Sequence, residues 1–309
     1  MKAHAGPAVI EAVTDRRRWW TDQLWRWACA GAAWGGAAML VWVVMLVLWR
    51  GSRAWRSGLL MQGAGPTPEA SGLGAALAGT LLCALGAVLL AAPVGLGAAV
   101  AIEELRPRGV LGRGLREGLR RAVQLLATAP AIVLGLVGVS LWGVPHDCPP
   151  PSPDQAWPCP PGRTLWGGSL TLGLVLSPWA ARAVLGLLGT VPREARTAAR
   201  ALGASAWQTV RRVVLPRVWR GLPPVLLRLM AFAVAEGAAL LVFVGPGPVG
   251  RAPHALGDPF TTLPVQVYLW AGHPEAGFRE LAWAGLLALG VLVLTLRGGA
   301  ALMTPRPGD

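Results

Sequence analysis

Apolar residues in this chain fall in blocks, many of them roughly 20 residues long, separated by short segments rich in arginine, glycine and proline. A helix of about 20 residues crosses a hydrocarbon core of ~30 Å. The blocks predict six spans, at 27–49, 73–102, 122–142, 165–188, 223–244 and 281–296. The second is expected to break at Pro93, and the third contains Pro130. The fold class this predicts is all-α: a polytopic membrane bundle of six transmembrane helices. Residues 1–26 and 301–309 are expected to be tails.

Composition supports the same reading. Hydrophobic residues make up 54% of the 309, the mean hydropathy is +0.50, and only 14% are charged. A soluble domain averages about 25% charged residues. The first block begins after Arg26 and lacks the short apolar region and small-residue cleavage site of a signal peptide, so it reads as a retained span.

The net charge is +13 and rests on arginine, with Lys2 the only lysine. The arginines sit between spans rather than on one soluble face, which argues against nucleic acid. They also orient the chain. With the N-terminus in the cytoplasm, Arg106, Arg108, Arg113, Arg116, Arg120 and Arg121 face inward, as do Arg193, Arg196, Arg200, Arg211, Arg212, Arg217 and Arg220. Both termini are then cytoplasmic, in a plasma (inner) membrane. Arg50, Arg53 and Arg56 run against this pattern. Trp19, Trp20, Trp25 and Trp27 mark one edge of the first span, and Trp49 and Trp55 mark the other, as interfacial tryptophans do.

The predicted outer loop 143–163 is proline-rich and excludes a helix. Its Cys148 and Cys159 face an oxidising compartment in this topology, which allows either a disulfide or two free thiols. His4, His146, His254 and His273 are scattered, so no metal site is expected. A nucleotide-binding P-loop needs a lysine in a glycine-rich loop, and Lys2 has no such context. No enzymatic site and no cofactor are expected, and any ATP hydrolysis is left to another subunit.

The segment GTVPREARTAARALGASAWQTVRRVVLPRVWRG, residues 189–221, lies between two spans without being a simple turn. Helix formers run from Arg193, Gly203 breaks the helix, Ser205 N-caps a second one, and Pro216 is expected to end or kink it. Two readings fit these residues: an amphipathic pair lying on anionic lipid, or a docking element for a cytoplasmic partner.

Spacing favours docking, because the segment resembles the EAA loop of binding-protein-dependent (MetI-like) importer permeases. Thr197, Ala198 and Ala199, then Gly203, then Val213, Leu215 and Pro216 follow that pattern, with Thr197 in place of glutamate and Val213 in place of isoleucine. In that family the loop inserts into a groove on the ATPase subunit. From about residue 72 the chain is similar to the phosphate permeases, PstA type more than PstC type. The carriers are GTLLCALGAVLLAAPVGLGAAVAIEEL from Gly79, LATAPAIVLGLVGVSLW from Leu126 and above all DPFTTLPVQVYLW from Asp258. The resemblance implies a permease domain over 72–300 containing the coupling loop. It also implies a second, PstC-like permease, two ATPase subunits and an extracytoplasmic phosphate-binding protein as partners, with membrane lipid around them.

Three ionisable residues fall within predicted spans: Arg182, Arg228 and Glu236. A charge at mid-bilayer costs about 2.5–3.5 kcal/mol on insertion scales and commonly serves a pathway, while one near a span end can snorkel. The resemblance implies that Arg182 and Glu236 are pathway residues. Where the family carries a further arginine this chain has Phe232, one turn after Arg228, so Arg228 is expected to supply the missing guanidinium. Gly237 replaces a threonine. Thr197, Phe232 and Gly237 keep two alternatives open: a permease for another solute, or a diverged scaffold or sensor that does not transport.

Overall fold

The computed structural model describes residues 7–104, 110–142, 164–244 and 250–304. The helices are α1 (Pro7–Ala54), α2 (Gly74–Glu103), α3 (Val110–Thr128), α4 (Ala131–Trp142), α5 (Leu165–Gly189), α6 (Arg193–Ala201), α7 (Ala206–Thr209), α8 (Leu215–Ala235), α9 (Ala238–Val244), α10 (Leu263–Ala271) and α11 (Ala276–Leu302). A π turn, Val210–Val214, joins α7 to α8. Among the described residues five helical stretches are long and apolar enough to cross a membrane: Trp19–Ala54, Gly74–Glu103, Leu165–Gly189, Ala206–Ala235 and Ala276–Leu302. The expected all-α membrane bundle is what the chain forms.

Four sequence expectations change. Residues 7–26 of the predicted N-terminal tail join the first span in one 48-residue helix. The second span is not broken at Pro93, since α2 runs through it. The third is not a single rod, because α3 and α4 meet at 104° around Pro130. Proline lacks the N–H and disfavours helix in the residue before it, so the chain turns there. The fifth is interrupted at Glu236 and Gly237, where Glu236 takes an extended conformation (ψ 97°).

Small residues set the centre of the bundle. The largest helix interface is α2 against α5. Ala84, Ala87, Ala91 and Ala180 are buried there, and a Cβ on Gly95 would come within 2.6 Å of Ala180 Cβ. Backbones this close need glycine and alanine, as in transmembrane helix pairs generally.

The DPF segment closes one end. Phe260 is fully buried, and a side chain on Gly168 would collide with its ring. Thr80 Oγ1 accepts from Leu263 N–H at 2.7 Å. The Asp258 and Leu256 carbonyls accept from Leu165 and Trp166 N–H, so this loop satisfies free amides in the first turn of α5. Asp258 itself accepts from His254 and Ala255 N–H at 2.8 and 2.9 Å, and these bonds hold its carboxyl below the ordinary carboxylate range. By contrast α1 is exposed along most of its described surface and packs on α11. Cys148 and Cys159 lie outside the described residues.

Candidate functional site

The elbow between α5 and α8 forms as its residues dictate. α6 stops at Ala201, and Gly203 just past its C-cap turns the chain with a φ of +85°, one that L side chains rarely adopt. Ser205 then opens α7 with a capping box: its hydroxyl accepts from Gln208 N–H at 3.2 Å, and the Gln208 side chain accepts from Ser205 N–H at 2.8 Å. Pro216 does not end the second helix. The Leu215 N–H reaches back five residues to the Val210 carbonyl, and the wider π turn makes room for the proline ring one residue later. The helix therefore runs continuously from the elbow into a membrane-length span, Ala206–Ala235.

One side of the elbow is anchored and the other is free. Val210, Val214 and Val218 are buried against Ala99 and Val100 of α2 and Val184 and Leu188 of α5. Each such burial is worth roughly 1.5–3 kcal/mol relative to water. No residue of α6 is buried. Thr197, Ala198, Gly203, Trp207 and above all Leu202, 90% exposed, form its outer surface. Thr197 spends its hydroxyl on the Arg193 carbonyl at 2.9 Å.

Sequence reasoning missed the residue pair that fastens this element. Arg196 Nη2 lies 2.8 Å from Glu104 Oε1, and the glutamate is 2% exposed. The same guanidinium donates to the carbonyls of Leu188 and Val191 at 2.6 and 2.9 Å. The contact with Glu104 is an ion pair by distance but lacks hydrogen-bond alignment, and Arg196 Nε has no hydrogen-bond partner among the described residues. One side chain of α6 thus grips the ends of α2 and α5 together. An acidic residue ending an apolar block, with an unmatched arginine in the next polar segment, was the available signal.

The three expected pathway residues are not gathered into one cluster. Arg182 is exposed on α5, its Cζ 5.6 Å from the Trp179 ring centroid. Trp179 in turn packs on Phe232 of α8 at 5.2 Å. Phe232 therefore buttresses the tryptophan that carries Arg182. Arg228 is held elsewhere, donating to Thr304 Oγ1 at 3.0 Å. Glu236 sits in the break between α8 and α9, where its carboxylate accepts from Ala238 N–H at 3.1 Å and caps α9. Gly237 faces Pro264, whose Cβ would lie 2.6 Å from an added Cβ.

Six membrane-length segments among the described residues, counting the bent pair as one, and a protruding helical elbow define a multi-pass membrane protein of the importer-permease fold. Residues 91–307 match the family described as binding-protein-dependent transport system inner membrane component, and the chain belongs to that family. It is 32% identical over 275 residues to phosphate transport system permease protein PstA 1 of Mycobacterium tuberculosis (strain ATCC 25618 / H37Rv), covering 85% of this chain and 81% of the relative. It is 27% identical over 265 residues to PstA of Haemophilus influenzae, covering 84% and 86%. A PstC of Mesorhizobium japonicum is 26% identical over 244 residues, covering 75% and 71%. Among solved structures, the inward-facing MetNI methionine ABC transporter aligns with a TM-score of 0.54 at 21% identity, covering 73% of this chain and 91% of that one. A bacterial alginate ABC transporter aligns at 0.55 and 15%, covering 87% and 93%. These two likenesses concern the fold.

Proposed function

We propose that this chain is the PstA-type permease subunit of an ATP-driven phosphate importer, with its elbow as the coupling element for a separate ATPase. The observation that carries the reading is the elbow: α6 protrudes without a buried residue, yet Arg196 ties it to two membrane helices. An element loaded by a partner must be accessible on one face and stiffly joined to the pathway on the other. The exposed row of Thr197, Ala198, Leu202 and Trp207 supplies the accessible face. Its partners in this reading are two ATPase subunits, a second PstC-like permease and an extracytoplasmic phosphate-binding protein, with both termini cytoplasmic.

Phosphate is supported by kinship with the PstA proteins and by Arg182, whose planar guanidinium suits bidentate recognition of an oxyanion. In the assembled transporter the exposed face of Arg182 and Trp179 lines the seam with the second permease. A different solute is the second reading. It is favoured by Phe232, which puts an aromatic ring where the phosphate permeases carry an arginine, and by the engagement of Arg228 with Thr304.

The test is uptake of labelled phosphate by cells or proteoliposomes holding the complete transporter. Loss of uptake in Arg182→Ala and Glu236→Ala, with assembly and ATPase activity retained, supports the pathway. Unchanged ATP-dependent uptake in both variants refutes it. Cysteines placed at Leu202 and Trp207 should cross-link to the ATPase; their failure to do so while the complex stays assembled refutes the coupling role.

A further inference from the structure

Arg50, Arg53 and Arg56 lie at the end of α1 where the charge pattern leaves them unexplained. Arg56 has a structural use, donating to the carbonyls of Pro68 and Ser71 and holding the loop after α1. Arg50 and Arg53 make no such bond among the described residues. Among the described residues the ion pairs are Arg121 with Glu117 and Arg196 with Glu104, and the contacts of Arg50 and Arg53 are to tryptophan rings.

Between these two arginines sits Gly51, which is buried. A Cβ there would lie 2.8 Å from both Leu287 Cβ and the Trp283 carbonyl, so the glycine lets α1 press directly on α11. That contact brings Arg50 Cζ to 5.3 Å from the Trp283 ring centroid, while Arg53 Cζ lies 4.4 Å from the Trp49 ring centroid. The helices enclose a groove of about 480 Å³ lined by Trp49, Arg50, Arg53, Arg279, Glu280 and Trp283. Arg279 gives one nitrogen to the carbonyls of His273 and Pro274.

We propose that this groove binds the phosphodiester headgroup of an anionic phospholipid. With a tryptophan ring as the only contact of each among the described residues, Arg50 and Arg53 keep N–H donors available, and a guanidinium fork matches two oxygens of one oxyanion. Three arginines face one glutamate, which selects a net negative headgroup over a zwitterionic one. Tryptophans on both walls set the groove at headgroup depth. Towards the middle of the membrane the same two helices present apolar side chains outward: Trp42, Met45 and Leu48 of α1, and Val291 and Leu294 of α11. An acyl chain lies along that seam while its headgroup sits between Arg50 and Arg53. Free phosphate shares the oxyanion chemistry but gains nothing from the apolar seam. The lipid acts as a clamp joining the peripheral α1 to the bundle.

The test uses the assembled transporter in bilayers containing either phosphatidylglycerol or phosphatidylcholine with a photoreactive acyl chain. Cross-linked peptides are mapped by mass spectrometry. Phosphatidylglycerol should label residues 42–55 and 283–294 well above phosphatidylcholine. Arg50→Gln with Arg53→Gln should lower that labelling about tenfold. Labelling near Arg113, Arg120 and Arg121 of α3 should stay unchanged and reports a folded protein. Equal labelling by the two lipids, or undiminished labelling in the double variant, overturns the proposal. Displacement of the lipid by inorganic phosphate assigns the groove to the free anion, and displacement by the soluble binding protein assigns it to a protein partner; either also overturns it. None of these outcomes depends on which solute is transported.

Discussion

Arg196 on α6 and Glu104 at the end of α2 meet at 2.8 Å, joining two residues 92 positions apart in the chain across the base of the bundle. Glu104 is buried and Arg196 is 15% exposed, so neither charge is freely solvated. The arginine also satisfies carbonyls at the end of α5, where a helix leaves acceptors without partners. A single guanidinium therefore fixes the angle at which the elbow leaves the membrane domain.

Removing one partner strands a buried charge, which costs about 3–5 kcal/mol. Arg196→Gln and Glu104→Gln should each lower the thermal midpoint of the purified protein. The pair of changes together should cost less than the sum of the two. In the assembled transporter Arg196→Gln should also reduce solute moved per ATP hydrolysed. Additive stability losses would show that the two side chains do not interact.

Arg182 and Arg228 should separate in transport. Arg182 projects from a Trp179–Phe232 pair on an exposed face, whereas Arg228 is occupied by Thr304. On the proposed pathway role of Arg182, Arg182→Ala should lower uptake about tenfold or more, while Arg228→Ala should change the KM for uptake by no more than about threefold. An equal fall in both would place Arg228 in the pathway beside Arg182, contrary to its engagement with Thr304.

Gly237 can be tested against Pro264. Gly237→Thr puts a Cβ 2.6 Å from Pro264 Cβ and should destabilise the protein by about 1–3 kcal/mol through overpacking. In a Pro264→Gly background, which removes the clashing Cβ, Gly237→Thr should cost less than it does beside the proline, read as the thermal midpoint. An equal cost in both backgrounds would mean that the proline does not dictate the glycine.

The loop that caps α5 should be sensitive to acid. Backbone N–H groups of His254 and Ala255 bond the Asp258 carboxylate and lower its pKa in the folded protein. A group depressed in this way supports the fold at neutral pH and loses that support as pH falls through its folded value, below the usual ~3.9. Hydrogen exchange at the amides of residues 254 and 255, corrected for the intrinsic pH dependence, should be protected at neutral pH and lose protection in strong acid. Asp258→Asn should remove most of that pH dependence.

Much of the elbow was legible residue by residue. Gly203 at a positive φ and the Ser205–Gln208 capping box depend on neighbours within three positions, so the string of residues contains the information. The turn at Pro130 was not legible: the residues predict one span through the proline, and the 104° angle does not follow from the proline alone. Pro93 and Pro178 are the counterexample: both stand inside unbroken helices, held by packing between α2 and α5. A proline's effect on a helix depends on whether neighbours support the freed carbonyl, and no local rule reports that. Glu236 was legible as an unusual charge but not as the cap of a helix that starts two residues later.

By itself the chain's order of residues determined its membrane solvent, its all-α class and the family pattern of the elbow. Each of these follows from runs of about 20 apolar residues or from local backbone preferences. Only the tertiary structure decided that Arg196 meets Glu104, that Phe232 supports the tryptophan beneath Arg182, and that Arg50 and Arg53 wall a groove with Trp283. Those contacts join residues 50 to more than 230 positions apart. Their partners are chosen by which helices pack side by side, a choice made by the small residues along α1, α2, α5 and α11 acting together.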